Sequence, residues 1–191
     1  MEHFYQTIPG YFTWPDFYRW CVRERLHDNA SVVEIGTANG CSLAFLGTEL
    51  INAQRRCVLL YGVDVDNGNG MAARNLMPLG GLSDLGGRGE LIAKPSVEAA
   101  ARFKDACFDL VFIDGDHSYE SVRDDIAAWL PKVKPGGIIA GHDYSPDFPG
   151  VMWAVAEAFD AWNVHRGIKY PPAKDLTPEA RQYFPVWWVE V

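Results

Sequence analysis

A short apolar run, Asp109-Leu-Val-Phe-Ile113, indicates the fold of this chain, and Asp114 follows it at once. A continuous apolar run of this length is typical of a strand covered on both faces, as in a parallel sheet with helices on either side. Similar runs recur along the chain and alternate with amphipathic stretches, which predicts a doubly wound α/β fold with right-handed crossovers. The predicted strands span residues 31–36, 56–64, 90–94, 108–114 and 137–142.

Three stretches outside the predicted strands carry helical signals. Residues 118–130 and 150–162 place apolar side chains on one face at helical spacing, so both are expected to pack on the sheet. An N-terminal helix is predicted to begin near Thr13, whose hydroxyl is placed to cap it, with Pro15 and Asp16 in the first turn.

Two segments are less regular. Glycines are frequent between Asp66 and Gly89, which predicts a mobile loop except around Met71 to Leu76. Residues 163–185 show little periodicity, and the following segment, Val186-Trp-Trp-Val-Glu-Val191, has the composition of a last strand.

The composition indicates one acidic domain. A chain of 191 residues, 48% of them apolar, suits one core, with an N-terminal helical segment (1–29), a ligand-binding core (30–162) and a C-terminal strand region (163–191). The net charge of -8 disfavours nucleic acid as a partner. The four cysteines lack zinc or redox spacing, and no signal peptide or long apolar run is evident, so we expect a cytoplasmic protein without a membrane partner.

A glycine loop follows the first strand in the segment Glu34-Ile-Gly-Thr-Ala-Asn-Gly40. Ala38 and Cys41 stand where a dinucleotide-binding loop has glycine, and no Gly-Lys-Ser/Thr is present for a P-loop. The acidic Glu34 suits a ligand that carries an ammonium and a sulfonium group. A purely structural turn remains the alternative.

Two polar residues at later strand ends extend this predicted site. Asp64 follows the second strand, where a ribose diol would donate hydrogen bonds to its carboxylate; the alternative is that Asp64 caps the next turn. Ser96 follows the third strand and either lines an adenine pocket or caps the next helix, and capping is favoured.

The chemical end of the site is predicted after the fourth and fifth strands. These strands end in Asp114-Gly-Asp-His-Ser-Tyr119 and in Gly141-His-Asp-Tyr144. Because neighbouring parallel strands end at the same edge of a sheet, four side chains distant in sequence are expected to converge in one cleft. They are Asp114, His117, His142 and Asp143.

These segments support a family resemblance. The runs 109–120, 133–144 and 150–155, with the glycine loop and Asp64, resemble the small class I methyltransferases related to the macrolide-sugar O-methyltransferases, over roughly residues 30–162. The resemblance implies a Rossmann-like, mostly parallel sheet of seven strands with helices on both faces, and S-adenosylmethionine as the methyl donor. The implied donor contacts are Glu34, Gly36, Thr37, Ala38, Gly40, Asp64, Ser96 and Asp114.

The resemblance also implies a metal site. It makes Asp114 a metal ligand, but the sugar enzymes carry two adjacent carboxylates after the fifth strand, where this chain has His142 and Asp143. The predicted ligands are therefore Asp114, His142 and Asp143. Mg²⁺ prefers oxygen and an imidazole favours softer ions such as Mn²⁺, so both ions are considered. The alternative is a metal-free site in which the aspartates cap helices and His142 is hydrogen-bonded in the cleft floor.

The reaction expected is methylation of a hydroxyl on a small molecule such as a sugar or a phenol. The resemblance makes His117 the general base, and histidine is suited to accept a proton at physiological pH. Catalytic roles are further predicted for Asp114 and for Tyr144, which would orient the acceptor hydroxyl; Tyr119 is the alternative for that role.

Two other functions are weighed. Two histidines and a carboxylate suit non-haem iron, which would make the chain a metal-dependent oxygenase or hydrolase. A non-catalytic partner subunit would instead bind proteins through aromatic residues. Consecutive strand residues face opposite sides, so one of Trp187 and Trp188 would be core and the other an interface, and a homodimer through this strand is a prediction.

Overall fold

One twisted sheet organises the protein, whose computed structural model describes residues 1–159, 164–166 and 186–191. The strand order is β3-β2-β1-β4-β5-β7-β6. The first five strands are parallel, and β7 is antiparallel to both of its neighbours. The bounds are β1 Ser31–Ile35, β2 Leu59–Val63, β3 Arg88–Ile92, β4 Phe108–Ile113, β5 Val133–Gly141, β6 His165–Arg166 and β7 Trp187–Glu190. The doubly wound, mostly parallel fold is confirmed, and six strands of four or more residues are joined by a seventh of only two.

Helices cover both faces of this sheet. On one face lie α1 Pro15–Trp20, which continues as a π-helical turn over Cys21–Arg25, and α2 Cys41–Asn52; on the other lie α5 Ser96–Ala100, α6 Tyr119–Trp129 and α7 Pro149–Ala158. In β4, Leu110 and Phe112 join one core cluster while Val111 and Ile113 join the other. The strand is continuously apolar because both of its faces are buried.

The order in which successive strands are added to the sheet reverses at β1, between β1 and β4. The chain proceeds outward from β1 through β2 to β3 and then returns to the other side of β1 as β4. Ile35 pairs with Ile113 at the carboxyl ends of these two strands, so the loops that follow them are neighbours. Such a switch point is where open α/β sheets bind ligands.

The glycine-rich segment 66–89 is folded, so the prediction of a loop there was wrong. It contains short helices, α3 Met71–Asn75 and α4 Gly81–Asp84, and two 3-10 turns, Val65–Asn69 and Met77–Gly80. Buried Leu79 and Leu82 anchor these turns on the α2 face of the sheet. The exception predicted around Met71 to Leu76 is where α3 forms.

Helix bounds differ from prediction at two ends. Helix α1 begins at Pro15, and no side chain caps it. The Thr13 hydroxyl lies instead 3.1 Å from His142 Nε2, so the predicted cap was wrong. Helix α7 ends at Ala158, where Phe159 turns to an extended conformation, and the predicted end at Trp162 lies outside the described residues.

The two C-terminal tryptophans face opposite sides of β7, as predicted. Trp187 belongs to one core cluster and Trp188 to the other. Both are buried, because β7 lies between β5 and β6 rather than at an edge of the sheet. Neither indole is therefore exposed for the partner contact that the sequence suggested. Among the described residues, no helix is both long and apolar enough to cross a bilayer.

Candidate active site

The glycine loop after β1 is pressed against the loop after β4. Gly36 has a φ of +85°, and a Cβ built there would lie 1.9 Å from the Asp114 carbonyl oxygen. Only glycine fits this close approach and this left-handed backbone. Gly40 has the same φ and directly precedes α2, so the loop turns twice within five residues.

Asp64 holds the glycine loop from the end of β2. Its Oδ2 accepts from the Ala38 backbone N–H at 2.8 Å, and its Oδ1 accepts from Asp66 N–H at 2.9 Å. The side chain thus caps the turn after β2, which was the alternative role predicted for it. A carboxylate oxygen can accept two hydrogen bonds, so capping leaves acceptor capacity for a ligand.

A cleft of about 560 Å³, which we call the large cleft, opens beside Asp64. It lies against the ends of β1, β2 and β4. Gly36, Ala38 and Ser96, which were predicted from the sequence as donor contacts, line it, and their contact with the donor stays a prediction. Ser96 does not cap its helix; its hydroxyl accepts from Trp129 Nε1 at 2.8 Å. The carboxylates that line the cleft are Asp64, Asp114, Asp116, Asp124 and Asp125.

Asp125 is a cleft residue that the sequence reasoning missed. It is buried on α6, and burial raises the pKa of its carboxyl to about 6, although a hydrogen bond with Ser96 opposes this. The signal was present in the sequence, because Asp125 lies three residues after Val122 and four before Trp129, on the apolar face of the helix.

Glu34 lies beneath the glycine loop rather than in the wall of the large cleft. It is fully buried, accepts from Ser42 Oγ at 2.5 Å and accepts from the Tyr18 hydroxyl. Burial raises the pKa of Glu34 to about 8, against the effect of these two hydrogen bonds. Glu34 therefore joins α1, β1 and α2, and its predicted direct contact with the donor stays a prediction.

A second cavity, which we call the small pocket, adjoins the large cleft. It has a volume of about 250 Å³, and Gly36, Ala38 and Asp114 line both cavities. His117, His142 and Asp143 line the small pocket, together with Thr37 of the glycine loop. The four predicted residues after β4 and β5 thus do converge in one place.

The N-terminal segment forms another wall of the small pocket. Gly10 and Tyr11 line it, and the Asn39 side chain donates to the Pro9 carbonyl at 2.9 Å. Trp14 packs against His142 with a ring separation of 4.3 Å. The contact of Trp14 joins residues more than a hundred positions apart, and no local pattern in the sequence indicates it.

His117 and Asp143 are in close contact at the rim of the small pocket. His117 Nε2 lies 2.9 Å from Asp143 Oδ2, and the imidazole is partly exposed while the carboxylate is largely buried. The Phe148 ring, 4.6 Å from the imidazole ring, supports it from one side. The Asp143 backbone has a φ of +58°, a conformation that aspartate tolerates better than most residues.

His142 lies deeper, between two carboxylates. Its Nδ1 is 3.1 Å from Asp143 Oδ1 and 3.5 Å from Asp114 Oδ1. Burial alone would lower the pKa of His142, but the two aspartates outweigh burial and raise this pKa to about 9. Burial raises the pKa of Asp114, and His142 opposes that shift.

A methyltransferase family matches this architecture. The family model described as a methyltransferase domain matches residues 33–144, from β1 to the loop after β5. The chain belongs to this methyltransferase-domain family. A protein of Mycobacterium sp. (strain JLS), provisionally named an O-methyltransferase, is 31% identical over 121 residues, which cover 63% of this chain and 51% of that protein. The chain thus spans about half the length of the curated relatives it matches.

Solved structures share the fold of the methyltransferase domain. A SAM-dependent O-methyltransferase from Thermotoga maritima superposes with a TM-score of 0.65 at 12% identity, over 95% of this chain and 67% of that one. CalS11, a TDP-rhamnose 3'-O-methyltransferase of calicheamicin biosynthesis, superposes with a TM-score of 0.60 at 14% identity, over 92% and 77%. At these identities the likeness shows the fold alone.

The methyltransferase domain brings together a different metal-type cluster from the one predicted. Ligand atoms of Asp114, His117 and Asp143 all lie within 4.8 Å of one another, so His117 stands where His142 was expected. Both nitrogens of His142 are already hydrogen-bonded, and Asp143 Oδ2 already contacts His117. Mg²⁺ prefers oxygen ligands and an imidazole favours softer ions such as Mn²⁺, and the binding of either ion at this cluster stays a prediction.

The two tyrosines predicted to orient an acceptor lie away from the small pocket. Tyr144 is half-buried and packs against the core cluster on the α7 face. The Tyr119 hydroxyl donates to Glu157 on α7. The arrangement of two histidines and one carboxylate considered for an iron oxygenase is not the cluster that forms, because His142 is engaged with Thr13 and the aspartates.

Proposed function

We propose that this chain transfers a methyl group from S-adenosylmethionine to a hydroxyl group of a small molecule. The observation that carries the proposal is that the large cleft and the small pocket share Gly36 and Asp114 as a common wall. A nucleoside in the first cavity and an acceptor in the second would meet at that wall. Relatives named as O-methyltransferases support oxygen as the atom methylated.

The large cleft suits the donor in size, shape and charge. Its volume of about 560 Å³ is within the usual range for ligand pockets, and it lies at the switch point of the sheet. Gly36 leaves room for close approach, and Asp64 offers acceptor capacity to a ribose diol. The acidic lining favours a ligand that carries an ammonium and a sulfonium group over one that carries phosphates.

His117 is the proposed general base. With the ring proton on Nε2, which lies 2.9 Å from the Asp143 carboxylate, Nδ1 is the nitrogen able to accept a proton. Nδ1 would take the proton of the acceptor hydroxyl as the new O–C bond forms. When bound, S-adenosylmethionine would supply the methyl carbon, and its sulfur would keep the electron pair of the broken S–C bond.

Other residues align and shield the reaction. Asp114 faces both cavities, where its charge favours the cationic donor, and Gly10 and Tyr11 enclose the acceptor side. Tyr144 is left out of the mechanism, because its ring packs on the core. The acceptor class we propose is a small hydroxyl compound such as a sugar or a phenol, since the small pocket has a volume of about 250 Å³ and is lined by polar groups.

Calorimetry on the full chain tests the proposal. Titration with S-adenosylmethionine and with S-adenosylhomocysteine is expected to show one site for each. Incubation with S-adenosylmethionine and a panel of sugars and phenols is then expected to release S-adenosylhomocysteine with at least one acceptor. A folded protein that binds neither nucleoside would overturn the proposal.

A further inference from the structure

We propose that Asp125 selects the nucleoside of the methyl donor by accepting a hydrogen bond from the 6-amino group of its adenine. This inference rests on the proposed function, because it assumes that S-adenosylmethionine occupies the large cleft. Asp125 lies within α6, a helix from which no donor contact was predicted. The assignment therefore adds a specificity-determining residue to those that follow the strands.

The two cavities indicate which part of the large cleft would hold the base. Gly36 and Asp114 line both cavities, so a methyl group passed to an acceptor must lie at this shared wall. Asp125 and Ser96 line the large cleft but not the small pocket. In S-adenosylmethionine the base and the sulfonium lie on opposite sides of the ribose. With the ribose at Asp64, the base would extend into the part of the cleft that the small pocket does not share.

Two apolar side chains in this part of the cleft suit the faces of a planar base. Val65 and Val97 line the large cleft but not the small pocket, and they are 64% and 50% exposed. Exposed valines gain free energy when an aromatic ring covers them and removes their surface from water. Val65 directly follows Asp64 and Val97 directly follows Ser96, so apolar and polar contacts alternate at these two strand ends.

Asp125 adds a buried acceptor to these apolar side chains. The residue is 6% exposed, yet it lines the cleft. Its carboxylate interacts with Ser96, whose hydroxyl oxygen accepts from Trp129 Nε1 at 2.8 Å. The Ser96 proton is then the one that the carboxylate receives. A carboxylate can accept about four hydrogen bonds, so Asp125 keeps acceptor capacity for a ligand after Ser96 is bound.

The chemistry of the base decides what a carboxylate at this place would select. The 6-amino group of adenine is a hydrogen-bond donor, whereas guanine carries an acceptor oxygen at the same position. An ionised carboxylate can only accept, so it pairs with the amino group and repels the oxygen. A base that lacks the amino group would leave a buried charge without its partner and would bind more weakly.

Calorimetry on the full chain at pH 8 tests the proposal, because the carboxyl of Asp125, with a pKa of about 6, is ionised there. The probes are S-adenosylhomocysteine and its 6-deamino analogue, in which hydrogen replaces the amino group. Wild type is expected to bind S-adenosylhomocysteine about tenfold to a hundredfold more tightly than the analogue, the value of a hydrogen bond to a charged group. Asp125→Ala is expected to bind both with nearly the same affinity, because the acceptor is gone.

Asp124→Ala is the matched control. Asp124 also lines the large cleft, but its carboxylate is exposed and paired with Arg123 at 2.7 Å. This variant is expected to keep the wild-type preference for the amino form. If Asp124→Ala loses the preference as fully as Asp125→Ala does, the preference belongs to the general acidity of the cleft and the proposal is overturned.

The remaining outcomes separate this proposal from the proposed function. Equal binding of the two probes by wild type would overturn the role of Asp125, even if Asp125→Ala does not fold. A preference that persists in Asp125→Ala would overturn it as well, and S-adenosylhomocysteine binding would still support a methyltransferase. A folded wild type that binds neither probe would remove both proposals together.

Discussion

Gly36 and Asp114 touch so closely that any side chain at position 36 would overlap the backbone of Asp114. A Cβ at position 36 would lie 1.9 Å from the Asp114 carbonyl oxygen, which is far inside van der Waals distance. The pair joins the loops after β1 and β4 at the point where the sheet changes direction. The wall between the large cleft and the small pocket therefore requires glycine at position 36, because even the methyl group of alanine would not fit there.

Gly36→Ala is expected to destabilise the fold and to abolish nucleoside binding, because the β1 and β4 loops must separate. Gly70→Ala is the matched control: its φ is +76°, but nothing lies within 4 Å of the added Cβ. The control substitution should lower the free energy of unfolding by about 1 to 2 kcal/mol, the penalty of alanine in a left-handed backbone conformation. Chemical denaturation measures both variants, and equal losses would contradict the contact argument.

Asp64→Ala is expected to weaken S-adenosylhomocysteine binding by about tenfold to a hundredfold, the value of hydrogen bonds to a charged acceptor. Calorimetry measures the dissociation constant. Asp66→Ala is the control, because Asp66 is exposed and its backbone rather than its side chain contacts Asp64. An unchanged affinity in the Asp64 variant would remove this carboxylate from the ribose role.

His117→Ala is expected to lower turnover by about a hundredfold to ten-thousandfold, the usual contribution of a general base, while S-adenosylhomocysteine affinity stays as in wild type. Initial rates at saturating donor, together with calorimetry, separate the two effects. His27→Ala alters an exposed histidine outside the pocket and should change neither quantity. Full turnover by the His117 variant would exclude it as the base.

Glu34→Gln is expected to flatten the dependence of stability on pH. Burial raises the pKa of Glu34 from 4.5 to about 8, so in this window the folded protein retains a proton that the unfolded chain releases. The wild-type free energy of unfolding should therefore fall as the pH rises from 4.5 to 8. The free energy of unfolding of the variant should fall less over the same pH range. The difference between variant and wild type should be a few kcal/mol at most, since one pKa unit corresponds to about 1.4 kcal/mol. Chemical denaturation at several pH values measures this free energy in both proteins. The same pH dependence in wild type and variant would contradict the prediction.

The sheet was predictable where a strand is uniformly apolar. Strands β1 and β4 were predicted to within one residue because buried parallel strands admit few polar side chains. The first residues of β5 were missed, since Pro135, Gly136 and Gly137 disfavour a strand. There the register with β4 shifts between Phe108 and Leu110, and the chain bulges past its neighbour.

The site was predictable to the extent that strand ends define it. The convergence of Asp114, His117, His142 and Asp143 follows from the adjacency of β4 and β5. The contact between His142 and Thr13 could not be predicted in this way, because the two residues lie 129 positions apart in the sequence. Burial was equally hidden: nothing local distinguishes His142, enclosed between two aspartates, from the partly exposed His117.

The two cavities draw their walls from different parts of the chain, and this separation matters for redesign. Gly10 and Tyr11 reach only the small pocket, whereas Asp64 and Ser96 reach only the large cleft. Grafting a different sequence onto positions 9–12 would reshape the small pocket, the proposed acceptor site, and leave the large cleft, the proposed nucleoside site, untouched. A library that varies only these four positions would therefore change the selectivity for the acceptor. Nucleoside affinity would show, for each variant, that the protein is still folded.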